Sequence, residues 1–157
     1  LSGNIYKEVL EKEGPMFQGL LVKKEALEGI GLLDEKIRSY QEWDTSIRLA
    51  KYNRFAFCPK PTFIYDYRCD DSMSRDSILN GNGYKQIFQK HYFEIWKNLG
   101  MKGLAYHYGR IGKWYAGGND QINAYRYKLL AAACKCLSVK MIATKLGILS
   151  EKRNYAV

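Results

Sequence analysis

The chain has 157 residues, 46% of them apolar and 14% aromatic, and a formal net charge of +9. That is enough apolar matter to bury a core, which excludes an intrinsically disordered chain, and no apolar run is long enough to span a bilayer. The excess charge sits in the second half, since residues 1–75 hold 12 Lys/Arg and 12 Asp/Glu whereas residues 76–157 hold 13 and 4.

We therefore place a module boundary near Arg75, dividing residues 1–75 from a basic extension, 76–157. Leu1-Ser2-Gly3-Asn4 opens with neither an initiator Met nor a charged-then-apolar leader, which reads as the start of a piece of a longer protein or of a trimmed or processed chain. The four cysteines, Cys58, Cys69, Cys134 and Cys136, have no metal-ligand spacing. Cys134 and Cys136 fall in an apolar helical run and read as small packing residues, and free thiols fit a reducing, cytoplasmic compartment.

Residues 5–13 read as a short helix with Ile5, Val9 and Leu10 on its apolar side and mixed charges outside, ended by Gly14-Pro15. The apolar run 17–22 reads as a buried strand. Residues 23–30 look helical, with Ala26, Leu27 and Ile30 inward, and Gly31 stands where a C-terminal cap belongs. Ser39 is the expected N-cap of the next helix, with Glu42, three residues on, completing a capping box. In that helix Trp43, Ile47 and Ala50 share one face. Residues 55–57 alternate in polarity, Pro59 and Pro61 forbid a central strand there, and 62–67 is a second strand candidate.

Beyond Arg75 the pattern is helical. Residues 77–99 contain a long run with Tyr84, Phe88, Tyr92, Phe93 and Trp96. A second helix is predicted over 104–116 and ended by Gly117-Gly118-Asn119, a third over 121–137 and a fourth over 139–149. Tyr108, Ile111, Gly112, Tyr115, Ala124 and Ala131 follow part of a tetratricopeptide spacing, although Lys128 replaces an expected aromatic and no proline closes the repeat. One such repeat cannot bury its own face, so the segment reads as a helical hairpin packed on something else.

The residues most suited to chemistry flank Trp43. Glu42, at a helix start beside a loop, could serve as a general base kept ionised by the helix dipole. The capping box would use the same carboxylate to bond its own backbone, and from spacing alone both readings stand. Asp44 and Arg48 form an i,i+4 acid–base pair. Tyr67, Arg68 and Ser72 could hold an anionic group through guanidinium and hydroxyl donors, or form an ordinary solvated turn.

Five segments in order carry a resemblance: 19–27 (Gly-Leu-Leu-Val-Lys-Lys-Glu-Ala-Leu), 30–35 (Ile-Gly-Leu-Leu-Asp-Glu), 40–51 (Tyr-Gln-Glu-Trp-Asp-Thr-Ser-Ile-Arg-Leu-Ala-Lys), 55–61 (Phe-Ala-Phe-Cys-Pro-Lys-Pro) and 65–75 (Tyr-Asp-Tyr-Arg-Cys-Asp-Asp-Ser-Met-Ser-Arg). Together they resemble the latter half of inverting family 2 glycosyltransferases. The resemblance covers about residues 14–75. It implies an α/β parent enzyme with the GT-A nucleotide-diphospho-sugar transferase fold, of which this chain would be a mainly α-helical part with a few short strands. It implies that Glu42 is the catalytic base, that Asp44 supports it or touches the acceptor, and that Trp43, Gln18 and Gly19 shape the acceptor pocket. Tyr67, Arg68 and Ser72 would close over the donor's diphosphate.

Two departures stand out. Where relatives carry a metal-binding His near the Arg-containing turn, this chain has Cys69-Asp70. The family's Asp-x-Asp metal motif is absent, so no metal site is expected in this chain, and the Mg2+ or Mn2+ of the full-length enzyme would be bound by strands preceding residue 1.

The expected partners are a nucleotide-sugar donor and a glycan or lipid-linked acceptor. Such an enzyme would work in cell-envelope polysaccharide or glycolipid synthesis, in the cytoplasm or at the inner face of the membrane. A different class of function is a non-catalytic basic helical module binding an acidic protein, nucleic acid or a membrane surface. Lys and Arg are scattered rather than striped and no nucleic-acid motif occurs, so nucleic acid is not expected. The basic tail is expected to be an accessory element of the same enzyme, and three roles stand open for it: peripheral association with an anionic membrane, oligomerisation, or a plain scaffold packed against the catalytic half.

Overall fold

In a computed structural model of the chain, residues 2–61, 63–64 and 76–145 are described. They form α1 (Tyr6–Glu11), a 3-10 turn (Phe17–Gly19), α2 (Lys24–Gly29), α3 (Gln41–Tyr52), α4 (Ser77–Lys90), α5 (Tyr92–Gly117) and α6 (Gln121–Lys145). The architecture is mainly helical, as expected. The short strands are not found among the described residues, where the only β pairing is a two-residue bridge between Gly3 and Phe55. Residues 17–22 instead make the 3-10 turn and an extended stretch in which Leu21 is fully exposed. A strand takes its hydrogen bonds from a partner strand, and an apolar run without one settles into local turns. The candidate at 62–67 lies mostly outside the described residues.

Helix ends follow local chemistry in some places and tertiary packing in others. Gly31, at φ +78°, closes α2 as predicted: its N–H donates to the Glu28 carbonyl and the Leu32 N–H to that of Leu27, at 2.9 and 3.0 Å. These are the two bonds of a Schellman cap. The helix expected across 77–99 breaks at His91 (φ −105°, ψ 16°), and α5 is interrupted at Gly100 (φ 64°, ψ −159°), a conformation open mainly to glycine. The predicted third and fourth helices run together as α6, with residues 146–149 outside the described set.

One core joins both sides of the charge boundary. Leu10 of α1 and Trp43 and Ile47 of α3 are buried with Tyr84 and Ile87 of α4 and Ile95, Leu104 and Ile111 of α5. The division of charge near residue 75 is therefore not a division of the core. The hairpin reading holds: Ile111, Tyr115, Ala124 and Ala131 are buried between α5 and α6, and the Tyr115 and Tyr127 rings stack 5.7 Å apart. Gly112 permits the close approach, since a Cβ there would lie 3.2 Å from the Ala124 carbonyl oxygen. The hairpin packs on α4 and α1 through α5.

His107, with no exposed surface, ties three elements together. Its Nε2 lies 2.9 Å from the Leu10 carbonyl, which can only accept, so Nε2 carries the proton and Nδ1 accepts from the Tyr84 hydroxyl at 2.8 Å. Burial pushes the imidazole's pKa down to about 4. The folded pKa lies below the unfolded one, so the stabilisation is present above about pH 6.5 and is lost as pH falls toward 4, by about 3 kcal/mol. Denaturant titrations across that interval should show this decline, and His107→Gln should flatten it while lowering stability at neutral pH.

Candidate functional site

The segment before α3 is clamped from both sides. Ser39 is not the helix N-cap, and the capping box with Glu42 does not form. Its buried hydroxyl donates instead to Asn80 Oδ1 of α4 at 2.7 Å. Gly83 admits Ser39 to close range, since a Cβ there would sit 2.8 Å from the Ser39 carbonyl oxygen. The N-cap is Tyr40, in the left-handed region at φ 63°, a conformation costly for a residue with a bulky side chain. Its ring packs edge-on against Trp43, Tyr84 and Trp114, with centroids 6.5, 5.5 and 6.1 Å away. Burial, with Glu13 nearby, pushes the Tyr40 hydroxyl pKa up to about 12. This aromatic cage holds the strained residue and thereby sets the direction in which α3 begins.

Glu42 and Asp44, two residues apart, meet opposite environments. Asp44 is 1% exposed. Its Oδ1 accepts from His91 Nε2 at 2.7 Å and Lys90 Nζ at 2.9 Å, and its Oδ2 from Arg48 Nε at 2.8 Å. Burial alone would raise its pKa, but the hydrogen bonds from His91 and Lys90 and the Arg48 charge outweigh it and hold the carboxyl near 2. Arg48 Nη1 also donates to the carbonyls of Ile30 and Leu32, and Lys90 bridges to Asp34 at 2.7 Å. Asp44 thus fastens α3 to the end of α2 and to the α4–α5 junction. An acceptor cannot reach it, which corrects the expectation that it touches substrate.

Glu42 is half-buried in the first turn of α3, and its side chain makes no hydrogen bond or ion pair among the described residues. A carboxylate there gains from the helix dipole while staying reachable by solvent. The chain at Gly14 packs on the backbone of this part of α3, where a Cβ would lie 3.8 Å from the Glu42 carbonyl oxygen and 2.6 Å from Ser46 Cβ. Glu13 pairs with Arg110 of α5.

Of the other predicted residues, Gln18 and Gly19 are exposed on the 3-10 turn, with Gly19 against the Phe63 ring. Trp43 is fully buried, donates from Nε1 to the Val9 carbonyl at 2.7 Å and stacks on His107. It packs the core and does not line an acceptor pocket. Tyr67, Arg68 and Ser72 lie outside the described residues. The structure brings Gly14 to α3 and Phe63 to Gly19.

Among the described residues no group of three or more His, Cys, Asp or Glu could hold a metal ion. A divalent cation therefore has no fitting ligand set among the described residues. No helix among them is long and apolar enough to cross a membrane.

Sequence reasoning missed Lys90 and His91 as partners of Asp44. The available signal was that the chain has two histidines, His91 and His107, and a buried imidazole usually has a hydrogen-bond partner to be found. Comparison with protein-family models, curated proteins and solved structures found no match.

Proposed function

We propose that this chain is the C-terminal part of the catalytic domain, with its helical extension, of an inverting glycosyltransferase of GT-A fold that uses a nucleotide-diphospho-sugar. The observation that carries the reading is the contrast within one short stretch. Asp44 is locked by three donors, whereas Glu42 is half-buried and makes no such bonds among the described residues, at a rigidly held helix start. General-base work asks for a carboxylate that is positioned yet reachable.

In this reading the acceptor hydroxyl oxygen bonds to the donor's anomeric carbon. The bond from that carbon to the diphosphate oxygen breaks, the nucleoside diphosphate leaves with the bonding pair, and Glu42 takes the hydroxyl proton. Tyr67, Arg68 and Ser72 are assigned to the diphosphate. Because the described residues do not fit a metal, no step is assigned to one. The acceptor would be a glycan or lipid-linked glycan of the cell envelope, met at the cytoplasmic face of the membrane.

The experiment is an assay of the full-length protein with UDP-, GDP- and dTDP-sugars and added Mg2+ or Mn2+, reading nucleoside diphosphate release and the configuration of any glycoside formed. Acceptor-dependent release with inverted configuration is expected. Retention of configuration, or no turnover with any donor, would overturn the proposal.

A further inference from the structure

Helix α6 is apolar on two sides. Ala124, Tyr127 and Ala131 turn to the core. On the far side Ile122, Tyr125, Leu129 and Val139 are 84, 66, 54 and 66% exposed, and with exposed Ala132 and Cys136 they recur at alternating steps of three and four, the period of one helix face. The uncovered apolar surface is on the order of several hundred Å2, at or above the largest patch a monomer usually leaves bare.

Charge decides between occupants. From 121 to 145 the sequence has Arg126, Lys128, Lys135, Lys140 and Lys145 and no Asp or Glu. A second copy of the helix would bring like charges together along the whole seam. Nucleic acid would meet the cations but leave the Ile, Leu and Val side chains unpaired. A bilayer with anionic headgroups meets both needs: the apolar side enters the acyl boundary and the basic residues lie among the headgroups.

We propose that the outward face of α6 docks on an anionic membrane surface, with the helix lying in the plane of the interface. This assignment is independent of the chemistry proposed for Glu42. The test is cosedimentation of the purified chain with vesicles of phosphatidylcholine alone and of phosphatidylcholine mixed with phosphatidylglycerol. Binding is expected only to the mixed vesicles, weakening with added salt. Leu129→Glu and, separately, Val139→Glu should each reduce it tenfold or more, while Lys128→Gln should reduce it about fivefold. Both substituted apolar residues are exposed, and circular dichroism reports whether each variant is folded. Three results would overturn the proposal. One is no binding to mixed vesicles, and another is binding unchanged in the two apolar variants. The third is a dimer in sedimentation velocity, abolished by Leu129→Glu, without vesicle binding.

Discussion

Asp44→Asn is expected to lower the unfolding free energy by about 3–5 kcal/mol, because it removes one member of a buried charged network and leaves the others in place. Arg48, Lys90 and His91 all point at this carboxylate. An asparagine offers one acceptor oxygen and turns an amide N–H2 toward donors that it cannot serve. The loss should appear in urea titrations as a lower midpoint at an unchanged slope, the sign of a weakened native state rather than an altered denatured one. The folded carboxyl pKa near 2 lies below its ordinary value of 3.8. Its stabilisation is therefore complete above that ordinary value and is lost as pH falls toward 2, so variant and parent should converge in that acid window.

Glu42→Gln is expected to do the opposite: little to stability and much to turnover. The side chain is half-buried without a hydrogen bond or ion pair among the described residues, so its removal should cost less than about 1 kcal/mol, chiefly the interaction with the helix dipole. Gln keeps the shape and loses the basicity. Losing a positioned general base should slow sugar transfer by about 10²- to 10⁴-fold. Because a base acts on the chemical step, the loss should fall on kcat more than on KM. The two substitutions, two residues apart, thus separate a carboxylate that holds the fold from one that is proposed to act.

Helix periodicity carried much of the architecture into the sequence. Trp43, Ile47 and Ala50 were expected on one face and are all buried, and Gly31 announced its cap because only local bonds were involved. What the sequence did not disclose depended on distant partners. Ser39 has the chemistry of an N-cap, but a buried bond to Asn80, 41 residues away, takes its hydroxyl. That displacement leaves Tyr40 to begin the helix in a left-handed conformation, sustained by the Trp43 ring of the same helix and by the Tyr84 and Trp114 rings of α4 and α5. The run 17–22 looked like a strand because apolar residues look alike whether or not a neighbouring strand exists.

At the candidate site the spacing of Glu42 and Asp44 was legible and their different fates were not. Asp44 was read as one half of an i,i+4 pair with Arg48, and that bond is indeed there at 2.8 Å. Lys90 and His91, which make it a buried network, come from a junction whose helix break has no Gly or Pro to mark it. Trp43 had two readings, packing on one helix face with Ile47 and Ala50 and a wall of the acceptor pocket, and its full burial selects the first.

The most direct measurement is turnover of the full-length protein and its Glu42→Gln variant on one nucleotide-sugar donor, with melting temperatures recorded on the same samples. Matching melts and a loss of turnover of at least about 10²-fold in the variant are expected. Normal turnover in a folded Glu42→Gln protein would contradict the role proposed for Glu42.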